Sequence, residues 1–177
     1  RSTPKPSSAA SDVYKRQDYI QKKYEFNILL LSSEFEGDAS SLANFHASIL
    51  KEIKRFDRPI KKPAIIVSSG EAHVKLPKNH GRGGRNSHFA LALAKEIEGV
   101  PGITALAADT DGIDGFEKNA GAIISGDTFK VLKKRAPQND FLKAFDSFSA
   151  HKIASSLFSI SAVNLLSTKL LKWFSSN

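Results

Sequence analysis

The stretch HGRGGRN, His80 to Asn86, sets two arginines among three glycines immediately before an amphipathic run. Gly81, Gly83 and Gly84 can adopt backbone angles closed to other residues, so successive N–H groups can converge into an anion-binding nest. A helix beginning near Asn86 adds its positive end to the same place. Arg82 and Arg85 would supply forked donors to a carboxylate or phosphate held there. No Lys-Ser or Lys-Thr follows the last glycine, so this is not a Walker A loop, and no acid stands about 20 residues further on to serve a ribose. The competing reading is a flexible basic turn with solvated arginines.

Two further polar segments carry possible chemistry. ADTDGIDGFEKNAG, Ala108 to Gly121, places Asp109, Asp111, Asp114 and Glu117 in a loop broken by Gly112 and Gly115. Carboxylates at that spacing can hold a hard cation through oxygen, although the closing acid of an EF-hand loop is missing and a strand replaces its first helix. A polar loop shaped by Asx turns is the alternative. SSGEAH, Ser68 to His73, offers Gly70 for a tight turn and Glu71 as a carboxylate just past a strand; a simple hairpin turn would look the same. An anion clamp beside a carboxylate loop is what phosphoryl transfer needs, since donors steady the phosphates while a carboxylate-held Mg2+ neutralises developing charge. His73 and His88 have no third ligand at suitable spacing and read as surface or packing histidines.

These segments must be positioned by the elements between them. NILLLSS (Asn27 to Ser33) and AIIVSS (Ala64 to Ser69) read as buried strands, and EAHVKL (Glu71 to Leu76) as a third, antiparallel candidate. Leu42, Phe45, Ile49, Ile53 and Phe56 recur at helical steps after Asp38, a suitable cap. A second helix runs from about Asn86 to Ile97 and stops at Gly99. Strands follow at Ile103 to Ala108 and Gly121 to Ser125, then a helix from Thr128 to Arg135 capped by Asp127. The alternation predicts an α/β fold with a mixed, mostly parallel sheet and helices on both faces, in αβα layers. Ligands in such folds bind at the carboxyl ends of strands, so the three polar segments are expected to be neighbours.

At 177 residues the chain has the length of about one domain. No apolar run approaches the roughly 20 residues that span a bilayer, so no membrane segment is expected. The absence of cysteine excludes a disulfide framework and fits a reducing, cytoplasmic compartment. The net charge of +8 raises nucleic-acid binding, but residues 1–17 hold Arg1, Lys5, Lys15 and Arg16 against the single acid Asp12. That Ser-, Pro- and Ala-rich segment is expected to be a disordered tail of non-native origin, since SAASDVYKRQ resembles translated adaptor sequence, and it lacks the apolar core of a signal peptide. The remaining excess is spread over lysines such as Lys51, Lys54, Lys61 and Lys62 and reads as a solvated face. Beyond charge, only Trp173 and Phe174 among lysines favour nucleic acid, so none is expected as a partner.

SSGEAHVKL, GRGGRNSHFALALAKEI and LAADTDGIDGFEKNAGAIISGDTF, in this order, resemble the carboxy-terminal MOFRL domain of glycerate 2-kinases, a family also labelled hydroxypyruvate reductase. The resemblance runs from near Tyr24 to about Ala162, which sets an expected domain at 18–162 and a divergent tail at 163–177. It implies ATP-dependent phosphorylation of D-glycerate to 2-phosphoglycerate, with Mg2+, in a cleft between two α/β domains. The family's amino-terminal kinase domain has no counterpart in this sequence, so little turnover is expected from the chain alone, and a homodimer is left open. By its chemistry Arg85 is assigned to the substrate carboxylate or transferred phosphate, with Arg82 in support. Gly81, Gly83, Gly84, Asn86, Gly70 and Glu71 complete the substrate and phosphate group. Asp111 is the candidate for Mg2+ or for positioning the attacking hydroxyl, and Asp114 is either a second metal ligand or a residue that holds the loop's shape. Ser87 and His88 replace the family's Gln and Glu, Ala72 and His73 replace Thr-Thr, and VNLLSTKLLKWFSSN stands where a glycine- and asparagine-rich turn and a final strand belong. The alternative reading is a stand-alone anion- or nucleotide-binding module without catalysis.

Overall fold

A computed structural model describes residues 25–159, so the expectations for residues 1–17 and 163–177 fall outside the described residues. The chain divides into two compact units, one holding residues 25–35 and 52–71 of the described chain, the other residues 36–51 and 72–159. No helix among the described residues is long and apolar enough to cross a membrane.

In the first unit, β1 (Asn27–Asp38) pairs with β2 (Ala64–His73). The Asn27 N–H donates to the Pro63 carbonyl at 2.9 Å, and further along the Ser69 hydroxyl reaches the Ser33 carbonyl at 3.3 Å. Both strands therefore start at the same end and run parallel. Gly70, at φ +152°, lies so close to the Phe35 backbone that any Cβ would overlap it. The glycine thus permits close strand approach and carries β2 onward to His73, instead of reversing the chain. The separate strand expected at Glu71 to Leu76 is accordingly not formed, and residues 74–76 lie outside any strand.

In the second unit, the Asp38 carboxylate accepts the Ser41 N–H at 2.9 Å and the Ser41 hydroxyl at 3.0 Å, capping helix α1 (Ala39–Phe56) as its sequence position predicts. The bond from the Ser41 amide lowers the Asp38 pKa, because it favours the charged form. The face that α1 buries overlaps the expected one, with Ile53 buried as its spacing predicts, but is shifted from it. Ala39, Ala43 and Ala47 are fully buried, whereas Phe45 and Phe56 are half-exposed. Small side chains allow close approach, and Ala43 and Ala47 join one core with Ala90, Ala94 and Ile97.

Helix α2 (Arg85–Glu96) is central to this unit. Leu93, Ala94 and Ile97 pack with Ala122 and Ile124 of the sheet, while Leu91 joins Leu132, Phe141 and Ala150 in a second cluster. The sheet is β3 (Thr104–Ala108), β4 (Gly121–Ser125) and β5 (Leu157–Phe158), in that order, both pairs antiparallel. Thr104 faces Ser125 and Ala108 faces Gly121, so the acidic loop is the connection between β3 and β4. Helix α3 (Thr128–Arg135) follows. Asp127 occupies its cap position without a side-chain cap bond; instead the Thr128 hydroxyl accepts the Ser125 N–H at 2.9 Å. A further helix, α4 (Ser147–Ala154), is capped by Asp146, which accepts the Ser149 N–H at 3.3 Å. The fold is mixed α/β, with its parallel pairing in the first unit and an antiparallel ladder in the second.

Candidate anion-binding site

The arginine and glycine loop is wedged between two elements of the second unit. On one side the Arg82 N–H donates to Asp146 at 3.1 Å and the Phe148 N–H donates back to the Arg82 carbonyl at 2.9 Å. A Cβ at Gly81 would overlap Asp146, and one at Gly83 (φ +144°) would overlap the Ser147 hydroxyl. On the other side, a Cβ at Gly84 would strike the Asp114 carboxylate. The glycines are required by close packing on both flanks.

The convergent N–H groups at the start of α2, which the sequence offers to an external anion, point at Asp114. Its Oδ1 accepts the Asn86 N–H at 2.9 Å, and its Oδ2 accepts the Ser87 N–H at 2.7 Å together with a short bond from the Ser87 hydroxyl. Asp114 is 1% exposed, so an internal carboxylate complements the helix dipole where a ligand phosphate would otherwise sit. The two polar segments of this unit are thereby brought together. Gly70 and Glu71 belong to the other unit.

The arginines are committed to different carboxylates. Arg82 makes two 2.7 Å bonds to Glu117 and lies 4.6 Å above the Phe148 ring; the Glu117 contact raises its pKa. With Phe116, Phe148 and Phe158, Arg82 also lines a surface pocket of about 590 Å³, and Arg85 does not. Arg85 instead faces Asp109 across a longer 3.6 Å ion pair, with side-chain exposures of 47% and 28%. Asp111 is exposed, and one of its oxygens accepts the Ile113 N–H at 2.8 Å in an Asx turn.

These arrangements do not fit a complete Mg2+ site. Among the described residues no three His, Cys, Asp or Glu side chains are grouped to hold a metal. Both Asp114 oxygens already accept bonds, Asp109 faces Arg85, Glu117 is paired with Arg82, and Asp111 is the exposed member of the four loop carboxylates.

Three histidines are buried in this unit. His88 contacts the Ser40 hydroxyl at 3.1 Å and stacks on Phe145, so it is a packing residue; His46 bonds the Leu42 carbonyl at 2.8 Å. His151, fully buried, contacts the Ser87 carbonyl at 2.8 Å and the Ser156 hydroxyl at 2.7 Å. Burial lowers the pKa of each, because the charged imidazolium loses more solvation than the neutral ring. A depressed folded-state pKa means that the unfolded chain binds protons first as pH falls below about 6.5. Stability is therefore expected to be full above that pH and to decline towards pH 5, read as a falling urea midpoint; a midpoint constant from pH 7.5 to 5 would contradict it.

Glu117, expected as one of the loop's carboxylates, pairs with Arg82 instead, while Asp146, Ser147, Phe148, Asn119 and His151 complete the site without having been anticipated from sequence. Only Asp146 left a readable signal, as a helix cap ahead of Phe148.

The MOFRL family model matches residues 64–164. The D-glycerate 2-kinase of Thermotoga maritima is 39% identical over 139 residues, covering 78% of this chain and 33% of the relative. A putative hydroxypyruvate reductase of Agrobacterium vitis is 39% identical over 133 residues, covering 73% and 30%. The crystal structure of the Thermotoga maritima glycerate kinase superposes with a TM-score of 0.77 at 38% identity, covering 84% of this chain and 36% of that one. The chain thus spans about a third of the length of these relatives. With more than half of its residues matched by the family model, the chain belongs to the MOFRL family.

Proposed function

We propose that this chain is the substrate-anion-binding part of a glycerate 2-kinase, which transfers phosphate from ATP to D-glycerate and yields 2-phosphoglycerate. The observation that carries the reading is Arg85, half-exposed on the first turn of α2, with the adjoining backbone fixed by Asp114 and its charge engaged by a long ion pair to Asp109. A planar carboxylate or a phosphate oxygen would bind such a guanidinium in a forked, charge-assisted way and replace that pair. In the transfer, the C2 hydroxyl oxygen of D-glycerate bonds to the γ-phosphorus, the bond from that phosphorus to the ADP oxygen breaks, and the hydroxyl proton passes to solvent water. Arg85 fixes the carboxylate so that this hydroxyl is aimed, and Asp111, an exposed carboxylate of the acidic loop in the same unit, would orient it.

The kinase names of the relatives support a nucleotide donor, and the reading takes it as ATP with Mg2+ as counter-ion. Because the acidic loop does not itself assemble a Mg2+ site, the nucleotide and its metal are assigned to the amino-terminal kinase domain that the family resemblance supplies as partner. The cysteine-free composition supports a cytoplasmic setting.

Calorimetric titration of the chain with D-glycerate tests the reading. Arg85→Ala is expected to weaken binding at least about tenfold, the usual scale for losing a forked charge-assisted contact. Equal affinity in parent and variant would sink the assignment.

A further inference from the structure

Arg85 lies between two pinned points of the backbone. Arg82 is held through both its N–H and its carbonyl, by Asp146 and by the Phe148 amide at the start of α4. Ser87 is held through its N–H and hydroxyl by Asp114, and through its carbonyl by His151, which stands in the middle of α4. A carbonyl only accepts, so the imidazole must carry its proton on Nε2 and donate to Ser87. Nδ1 is then bare and accepts the Ser156 hydroxyl, just past the end of α4. With neither ring nitrogen left over and no exposure to solvent, His151 is unsuited to proton transfer with a ligand.

We propose that His151 is a positioning residue for Arg85, acting through the Ser87 carbonyl to fix the first turn of α2 against α4. The proposal rests on the anion-binding role assigned to Arg85. A helix could be held against its neighbour by packing alone, and Leu91 and Ala150 already do so in the shared cluster. What packing leaves free is rotation and sliding of the first turn, and a directional bond to one carbonyl removes that freedom. Burial reinforces the arrangement by keeping the imidazole neutral, the form that has one donor and one acceptor.

The test compares His151→Leu, which removes both bonds at similar volume, with His151→Gln, whose amide can still donate to the Ser87 carbonyl. Amide hydrogen exchange across residues 82–87 and D-glycerate affinity are measured on the full chain. His151→Leu is expected to speed exchange at Asn86 and Ser87 about tenfold and to weaken D-glycerate about fivefold, with exchange in α3 and β4 unchanged. His151→Gln is expected to restore both to within about twofold of the parent. Parent-like exchange in the leucine variant overturns the proposal, as does uniform acceleration throughout the unit or a glutamine variant that restores nothing. Should His151→Leu not fold, Ser156→Ala, which strips the Nδ1 partner and the weak bond to the His151 carbonyl but leaves the Nε2 bond to Ser87, is expected to speed exchange at the same amides, and its failure to do so counts equally against the proposal. If the parent binds no D-glycerate at all, the function assigned to Arg85 falls, while the exchange measurements still decide the role of His151.

Discussion

Replacing Asp114 with alanine is expected to destabilise the second unit by about 3 to 5 kcal/mol, the largest single loss anticipated in this protein. The carboxylate is buried and accepts from the Asn86 N–H, the Ser87 N–H and the Ser87 hydroxyl. Truncation strands the two buried Ser87 donors away from water and unpairs the part-buried Asn86 N–H, and each stranded buried donor costs roughly 1 to 3 kcal/mol, moderated by relaxation of the loop. The start of α2 also loses the negative charge that complements its dipole. Asp114→Asn should fall in between, because one oxygen survives while the amide nitrogen opposes a donor. Urea unfolding measures both variants, and an alanine variant within about 1 kcal/mol of the parent would show that the internal cap is not holding the helix.

Gly84→Ala is expected to cost about 2 to 4 kcal/mol, although its backbone angles are ordinary. At φ −130° any residue fits, so the loss comes from the added methyl group meeting the carbonyl carbon and carboxylate of Asp114. Gly99 provides the contrast: nothing lies within 4 Å of its Cβ position, and alanine there meets only the strain of φ +74°, about 1 kcal/mol. Thermal or urea unfolding of the two variants separates packing from backbone strain. Because Gly84 and Asp114 touch, the double variant should lose less than the sum of the single ones. Simple additivity would mean that the two loops are not in contact.

The sequence made β1 to β4, the capped start of α1 and the two chemically rich loops legible, because apolar periodicity and local capping are short-range signals; α4 and the two-residue β5 were missed, and the strand expected at Glu71 to Leu76 did not form. What escaped it was pairing at long range. Asp114 reads like Asp111 along the chain, yet one is sealed against the start of α2 while the other stays exposed, a difference decided by which loop folds over which. The glycines at 81, 83 and 84 suggested an open nest for the same reason: sequence shows that a residue lacks a side chain, and only the fold shows that Asp146, Ser147 and Asp114 fill the space. The bulky residues of α1 misled because the closest packing was assigned to alanines. His151 left no trace at all, since its partners Ser87 and Ser156 are unremarkable as residue types.

The most direct test of the central claim is a nitrogen-15 correlation spectrum of the chain titrated with D-glycerate. The perturbed resonances are expected to centre on Arg85, including its side-chain Nε–H, and to spread to Asn86, Asp109 and Asp111, while Asp114 keeps its bonds to Asn86 and Ser87. Perturbations confined to other parts of the unit, or no saturable change around Arg85 at millimolar ligand, would contradict it.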